Sequence, residues 1–372
     1  MGDSGLNTAA LALRATHEGA AWRLDLAGAR PAPCGIVFSG AGLEAPPLLD
    51  GAAMALLPAA LALHHDLHLP GPVSRLGLRN LTDLAGAWAN FAPARFGRIR
   101  ITAEHVTDDP PPPTGPALLA WDGSFEAAAA LARHAETTQP GALDIAGLVH
   151  VAGLAPAAQD AAVLAALRPL TAARGLKLVE ITAAAEGACR PDPVIGRLPL
   201  VAAALHLAGA SLGVAMGLVA RRWPYAMLLG RQRPLPHLPD LLGGAGFAVR
   251  SDGGGTSAAE LAAALAAHPT IGAAIRPATA QDSRLAALGF AAAGVAPPQG
   301  VALPAPLAAA RTLDLADPVA LAAAAALARA PGGGAAQNLL RARVRLAGWA
   351  ELAGDYARWC GALLGTRAPW PR

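Results

Sequence analysis

The sequence predicts an α/β protein with a doubly wound, Rossmann-like parallel sheet, preceded by an α+β domain and followed by a helical tail. Three observations lead to this prediction. Short apolar runs alternate with helical segments between residue 117 and about residue 229, which is the pattern of a parallel sheet covered by helices on both faces. Four consecutive prolines, Pro110 to Pro113, separate this region from the chain before it. From about residue 235 onward the pattern is helical.

The first 107 residues mix strand-like and helix-like segments. Residues 21–26, 35–39 and 98–103 have the apolar or alternating pattern of strands. Residues 48–64 and 74–91 have the spacing of helices. We therefore predict an α+β domain over residues 1–107 and a stiff proline-rich linker over residues 108–116.

Strands and helices alternate in the predicted α/β domain, residues 117–300. The predicted strands are 117–121, 143–151, 176–182 and 212–219, with an apolar run at 225–229 beside the last of them. The predicted helices between them are 124–136, 156–173 and 197–208. Further helices are predicted at 256–267, 282–293, 318–330 and 335–364, so residues 301–372 form a helical C-terminal extension.

Composition excludes several classes of protein. The chain is 54% hydrophobic, and its mean hydropathy is +0.39. However, His206, Ser211 and several glycines and prolines interrupt the most apolar run, residues 198–220, which therefore predicts a buried helix and strand and no membrane span. The first 15 residues lack the basic head and apolar stretch of a secretory signal. The alanine-rich, arginine-over-lysine usage is typical of a GC-rich bacterial genome.

Charge and cysteine usage narrow the interpretation further. The net charge of +3 is not concentrated in Lys/Arg runs, so no nucleic-acid partner is predicted. The three cysteines, Cys34, Cys189 and Cys360, are far apart and form no C-x-x-C. We therefore predict neither a disulfide framework nor a zinc site, and a reducing cytoplasmic location.

The turn after the first strand of the α/β domain is the main candidate site. Residues 118–126 read L-L-A-W-D-G-S-F-E, a buried strand followed by a tight turn at Gly123 and a helix. In an open α/β sheet this turn is the favoured position for phosphate, which the backbone N–H groups of the helix N-terminus hold. The turn contains neither G-x-x-x-x-G-K-[ST] nor G-x-G-x-x-G.

At this turn the chain resembles the PP-loop ATP pyrophosphatases, and among them the 7-cyano-7-deazaguanine synthase-like proteins. The family hallmark S-G-G-x-D-S falls on five positions of this chain: Asp122, Gly123, Ser124, Glu126 and Ala127. Gly123 is the one position that keeps the family residue. The resemblance extends over most of residues 20–300, through stretches such as L-H-L-P-G-P-V-S-R-L-G-L-R-N-L, L-V-H-V-A-G and F-A-V-R-S-D-G-G-G-T-S.

For an intact family member, the resemblance implies that ATP adenylates a carboxylate, pyrophosphate leaves, and a nitrogen nucleophile attacks. Here Asp122 brings a negative charge to the place of a polyanion, which is unfavourable. Ser124 puts a side chain where glycine lets phosphate approach the backbone. The family's clustered zinc-binding cysteines are also absent from residues 280–289.

We therefore expect a degenerate nucleotide site at Asp122, Gly123, Ser124, Glu126 and His150, with no catalytic residues, no metal and no required cofactor. The predicted protein is a pseudoenzyme, the non-catalytic or accessory subunit of a complex with another protein, such as an intact paralogue or further copies of the chain. One alternative is an active adenylating enzyme with a rewired loop, in which Glu126 holds Mg²⁺ and the amides of the turn hold ATP. The other alternative is a scaffold that binds no nucleotide.

Histidines supply the remaining candidates. His150 is predicted at the carboxyl end of the second strand of the α/β domain, on the same rim as the turn, where it either binds a ligand or caps a loop. His64, His65, Asp66 and His68 form the one dense metal-like cluster, and a helix end explains the helical spacing of His64 and His68 more simply than a metal site does. Two other segments with anion-binding composition are the glycine-rich loop 253–257 and the basic trio 231–233.

Overall fold

The structure is a computed structural model of the chain. It describes residues 10–28, 34–109, 114–135, 141–192, 195–220, 239–252, 258–315, 318–329, 334–345 and 347. The described residues belong to two compact units. The first contains those within Met1–Asp122, Arg133–Ala220 and Pro234–Asp252, and the second those within Gly123–Ala132 and Gly253–Arg372.

The first unit is built on one ten-stranded sheet. Its strands are β1 (Leu11–Glu18), β2 (Ala21–Ala27), β3 (Gly35–Ser39), β4 (Leu67–Ser74), β5 (Ile101–Thr107), β6 (Ala117–Ala120), β7 (Ile145–Ala152), β8 (Lys177–Ala185), β9 (Met216–Ala220) and β10 (Ala248–Asp252). Their order across the sheet is β10-β9-β6-β7-β8-β3-β2-β1-β4-β5.

The α-helices lie between and after these strands. They are α1 (Asp50–Leu63), α2 (Arg75–Phe91), α3 (Phe125–His134), α4 (Ala157–Arg174), α5 (Leu198–Leu212), α6 (Ala258–Ala266), α7 (Pro269–Gly272), α8 (Ala280–Ala293), α9 (Pro306–Thr312) and α10 (Pro318–Arg329). Residues 335–345 are also helical. Local signals set several of the ends: Ser74 caps the N-terminus of α2, Thr279 and Asp282 form a capping box on α8, and Gly175 ends α4 in the left-handed region.

Five strands form the predicted parallel sheet. Strands β10, β9, β6, β7 and β8 pair in parallel, in that order. Numbered by their order in the chain and read from β8 to β10, these five strands are arranged 3-2-1-4-5. Strand β6 is therefore central among them, and the order of the strands reverses beside it, as in Rossmann-like folds. The α/β class, the central position of β6 and the start of a helix at Phe125 are thus confirmed.

The sheet continues through the predicted N-terminal domain. Strand β3 pairs antiparallel with β8, and β2 and β1 follow in antiparallel register before β4 and β5 complete the sheet in parallel. The first compact unit therefore combines the N-terminal region with all five parallel strands, and its limits differ from the boundary placed at the prolines. Residues 110–113 of that linker lie outside the described residues.

Three strands were missed from the sequence. Residues 11–18 and 67–74 form β1 and β4, although β4 contains Pro70 and Pro72 and has an irregular register there. The expectation of a wholly helical pattern after residue 235 is wrong, because residues 248–252 form β10 beside β9. The run at 225–229, and the predicted helix beyond residue 347, lie outside the described residues.

A disulfide joins Cys34 to Cys189, with the two Cα atoms 5.4 Å apart. Both cysteines are buried, Cys34 just before β3 and Cys189 in a short 3-10 helix after β8. The expectation that the cysteines form no disulfide is therefore wrong. Pairing of β3 with β8 brings together two cysteines that are 155 residues apart in sequence. Such a bond is unusual in a reducing cytoplasm.

Membrane-spanning segments were searched for among the described helices. None of these helices combines the length and the apolar character needed to cross a bilayer. The apolar run at 198–220 forms α5 and β9 of the first unit, as its interrupted pattern predicted.

Candidate functional site

The candidate turn begins at the carboxyl end of β6, beside the point where the strand order reverses. Asp122 follows Trp121 there and belongs to the first unit, whereas Gly123, Ser124 and Glu126 belong to the second. Trp121 extends the pairing of β6 with β7, since its N–H donates to the carbonyl of Val149 at 2.8 Å. This is the place where open α/β sheets bind ligands.

Asp122 pairs with Arg197. An Arg197 Nη2 donates to the Asp122 Oδ2 at 3.2 Å, and both side chains are partly exposed. Arg197 directly precedes α5. The negative charge of Asp122 therefore has a cationic neighbour, which the sequence did not reveal because 75 residues separate the pair. An ion pair this exposed adds little to stability, but it lowers the repulsion that an approaching anion would meet.

Gly123 and Ser124 accept hydrogen bonds from other residues of the second unit. Gly123 has a φ of +79°, a conformation that side-chain-bearing residues rarely adopt. Its carbonyl accepts a hydrogen bond from the N–H of Arg276 at 2.7 Å. The Ser124 Oγ accepts the N–H of Ala127 at 3.1 Å, so Ser124 is the N-cap of α3. Helix capping accounts for the serine at this position, where the PP-loop proteins that the turn resembles have glycine.

Glu126 lies in the first turn of α3 and is half-buried. A carboxylate in this position is favoured by the helix dipole. The neighbouring Phe125 is buried and packs edge-on against Phe290, with ring centroids 5.5 Å apart. The start of α3 is thus anchored by apolar packing in the second unit as well as by its cap.

His150 lies in β7 with only 3% of its surface exposed. Its Nδ1 lies 3.0 Å from the carbonyl of Trp121, which can only accept, so Nδ1 carries a proton. Its Nε2 lies 3.4 Å from the Asp160 Oδ1. The Asp160 Oδ2 accepts the N–H of Gly153 at 2.8 Å. His150 thus bonds to the end of β6 through Trp121, and Asp160 holds the loop before α4 through Gly153.

The histidine cluster at residues 64–68 is not on one helix. Helix α1 ends at Leu63, and His64 follows it in the left-handed region with φ 57°. His68 lies in β4, where its ring nitrogens contact Thr102 at 3.1 Å and Glu104 at 3.2 Å. The helical spacing inferred for His64 and His68 is therefore wrong. Among the residues that the structure describes, no group of three or more His, Cys, Asp or Glu side chains could hold a metal ion.

A buried polar cluster, which the sequence interpretation missed, lies around Asp50 and Ser74. Asp50 is 1% exposed at the start of α1. The N–H and the hydroxyl of Ser74 donate to its two carboxylate oxygens at 2.9 and 2.6 Å. The Ser74 Oγ accepts the N–H groups of Gly77 at 2.8 Å and Ala245 at 3.0 Å. Burial raises the pKa of Asp50, and the hydrogen bonds from Ser74 oppose this effect.

The same cluster fixes the loop before β10. The Asn80 side chain donates to the carbonyl of Gly243 at 2.8 Å, and the His206 Nε2 to that of Leu242 at 3.1 Å. A side chain on Gly244 would collide with the carboxylate of Asp50. The N–H and the hydroxyl of Ser74 are both committed to these internal bonds, so the cluster is a structural joint between the N-terminal helices and the loop before β10.

His206 provides a pH test of this joint. Burial lowers its pKa from 6.5 to about 4. The unfolded chain therefore takes up a proton near pH 6.5 and the folded chain only near pH 4, so stability falls as the pH drops through this window. We expect a loss of about 3 kcal/mol, since each factor of ten in proton affinity is worth about 1.4 kcal/mol.

Urea unfolding of the wild type and of His206→Gln at pH 7 and pH 4.5 measures the effect of His206. The glutamine variant should lose clearly less stability between the two pH values. The comparison with the variant is needed because Asp50, whose pKa is raised, gains its proton first in the folded state and so acts in the opposite direction as the pH falls. Equal losses in both proteins would contradict the assignment to His206.

An ion pair closes the end of β10. An Arg133 Nη2 contacts the Asp252 Oδ2 at 2.5 Å, and the His134 Nε2 lies 3.6 Å from the same oxygen. The His134 Nδ1 accepts the N–H of Leu143 at 3.0 Å. Burial lowers the pKa of His134, which Asp252 partly counteracts. Because Asp252 already neutralises Arg133, this cluster offers no excess charge to a ligand.

No protein-family model, no curated protein and no solved structure matches the chain.

Proposed function

We propose that the chain is a PP-loop-like protein, similar to the 7-cyano-7-deazaguanine synthases, that has lost ATP chemistry and serves as a non-catalytic subunit bound to another protein chain. The arrangement of β6 at the centre of a 3-2-1-4-5 sheet supports the comparison with nucleotide-binding folds. Asp122 lies just beyond this central strand, at the end where open α/β sheets bind ligands, so the residues of the turn bear on what could bind there.

The proposal rests on the internal bonds that the groups of the turn make. Ser124 caps α3, the carbonyl of Gly123 accepts Arg276, and Asp122 is held by Arg197. A phosphate loop needs the backbone amides of the turn exposed to the ligand, with glycine or a cation beside them. Here the Ser124 hydroxyl accepts the N–H of Ala127, and the Asp122 carboxylate pairs with Arg197. The turn therefore stabilises the fold instead of holding a nucleotide.

One observation favours the second candidate, an active enzyme with a rewired loop. Arg197 lies 3.2 Å from Asp122 and precedes the N-terminus of α5. If a phosphate displaced Asp122 from Arg197, the guanidinium would supply the charge that the turn lacks. In that case Glu126 would hold Mg²⁺ and binding would depend on Arg197.

Calorimetry with Mg·ATP separates the two candidates. We expect the wild type to bind with a dissociation constant weaker than about 1 mM, which corresponds to a binding energy of only about 4 kcal/mol. Replacing Asp122 by Ser and Ser124 by Gly should strengthen binding, because the change removes the carboxylate and the side chain together and frees Arg197. Glu126→Ala serves as the control and should leave the weak binding unchanged. Micromolar binding by the wild type, lost in Glu126→Ala or Arg197→Ala, would refute the proposal and establish the rewired site.

A further inference from the structure

Strand β5 is an edge of the ten-stranded sheet. It pairs with β4 on one side, and no other strand of the described residues pairs with it on the other. The carbonyl of Arg100 accepts the N–H of Leu67 on β4 at 2.9 Å. Since successive residues of a strand direct their backbone groups to opposite edges, those of Thr102 face β4 and those of Ile101 and Ala103 point outward. Open edges of this kind pair readily with another strand.

Two of the devices that normally protect an open edge are missing from β5. Strand β5 is seven residues long, I-T-A-E-H-V-T, and contains neither proline nor lysine. Three large apolar side chains that are unusually exposed lie on this strand or on α2, which packs against it: Val106 at 43%, Leu76 at 40% and Phe91 at 39%. Only two others of this kind, Leu212 and Leu307, are found elsewhere among the described residues. Exposed apolar groups on an edge strand and on the helix that packs against it indicate a contact surface.

The charges along the edge are ordered. Every even-numbered side chain from residue 98 to residue 108 is exposed. Their order runs from basic to acidic: Arg98, Arg100, Thr102, Glu104, Val106 and Asp108. A second copy of the same segment placed antiparallel would therefore bring its acidic end to the basic end of the first. This charge order is self-complementary, which is what a two-fold interface requires.

We propose that β5 is the interface for a second copy of this chain, which pairs with it antiparallel about a two-fold axis at Ala103. In this register Arg98 lies opposite Asp108 of the second copy, where it would join the pair that Asp108 forms with Arg75, and Thr102 lies opposite Glu104. Arg100 lies opposite Val106 and diagonal to both carboxylates, within reach of a long side chain. The two Ala103 residues face each other across the axis and exchange their outward-pointing N–H and carbonyl groups.

The neighbouring symmetric registers are less favourable. A two-fold axis at Glu104 would put two carboxylates directly opposite each other, and like charges in that position are destabilising. An axis at His105 would place Asp108 opposite Thr102. Arg98 and Arg100 would then have no carboxylate directly opposite them. An axis at Thr102 would place Arg100 opposite Glu104 but Asp108 opposite the buried Phe96. The register centred on Ala103 is therefore the one that pairs the two ends of the charge pattern, Arg98 with Asp108.

Sedimentation equilibrium of the full chain tests the proposal. The wild type should have twice the chain mass of 37.2 kDa. Ala103→Pro should raise the dissociation constant at least about tenfold, because it removes a hydrogen-bond donor on each side of the axis and places a ring in the interface. The N–H of Ala103 points away from β4, so the proline leaves the ladder within the chain intact, and an unchanged far-ultraviolet circular dichroism spectrum would show this.

A charge exchange provides a second, independent variant. Arg98→Asp should weaken the dimer, and adding Asp108→Arg should restore it, since the pair is then reversed. A monomeric wild type at tens of micromolar would overturn the proposal, as would a dimer that neither Ala103→Pro nor Arg98→Asp weakens. The result is independent of the proposed loss of ATP chemistry, because a nucleotide-binding chain could dimerise and a monomer could lack a nucleotide site.

Discussion

Replacing Ser74 by alanine is expected to lower the free energy of unfolding by about 3 to 5 kcal/mol, because one hydroxyl satisfies three buried groups. The Ser74 Oγ donates to Asp50 and accepts from the N–H groups of Gly77 and Ala245. In the variant both N–H groups lose their acceptor, and the buried carboxylate keeps only the backbone N–H of Ser74. Each such group costs about 1 to 3 kcal/mol when left without a partner, and more when it is charged.

Urea unfolding at pH 7, followed by tryptophan fluorescence, measures this loss. Thr82→Ala on the same helix is the matched control, since the hydroxyl of Thr82 is exposed and bonds only to the carbonyl of Leu78 within α2. It should change stability by less than about 0.5 kcal/mol. A loss below about 1 kcal/mol for Ser74→Ala would show that the cluster around Asp50 does not join the helices to the loop before β10.

Removing the disulfide is expected to cost about 5 kcal/mol, the largest effect of any change considered. In the chain-entropy account, a cross-link stabilises a protein by restricting the unfolded chain, and the effect grows with the length of the closed loop. Cys34 and Cys189 are 155 residues apart, and they tie β3 to the segment after β8 at the only pairing that joins the parallel strands to the rest of the described sheet. The double variant Cys34→Ala, Cys189→Ala should show the loss in urea unfolding.

Cys360→Ala is the control for this experiment. In urea unfolding without reductant, it should leave the free energy of unfolding unchanged. A thiol count gives a second check. Because the chain has three cysteines, the unreduced, denatured wild type should contain one reactive thiol and the reduced protein three. Three thiols before reduction would show that Cys34 and Cys189 are not bonded, and the stability difference would then have another cause.

Much of the fold could be predicted because its signals are local. The apolar runs that became β3, β6 and β7, and the helices α1, α2 and α4, were found within a few residues of their ends. Apolar periodicity and capping residues act over a few positions, so they can be read from one sequence. Strand β4 was missed for the converse reason, because Pro70 and Pro72 oppose a strand locally and only pairing with β1 and β5 supports one.

The candidate site shows the same division. The sequence located the turn after β6 and identified Asp122, Gly123, Ser124, Glu126 and His150 as its candidate groups. It did not show that Arg197 pairs with Asp122 or that Asp160 faces His150, because these partners come from other elements. The role of Ser124 as a helix cap was open to local reasoning, since the residue directly precedes the helix.

By itself, the sequence determined most of the strands and helices and the parallel α/β class, since these depend on the order of residues along short stretches. Only the tertiary structure decided that β8 pairs with β3 in one continuous sheet, that Cys34 meets Cys189, and that Asp50 is held by Ser74. Each of these contacts joins residues that are far apart along the chain. Whether such a contact forms depends on how whole elements pack to bury apolar surface, and local propensity does not encode this.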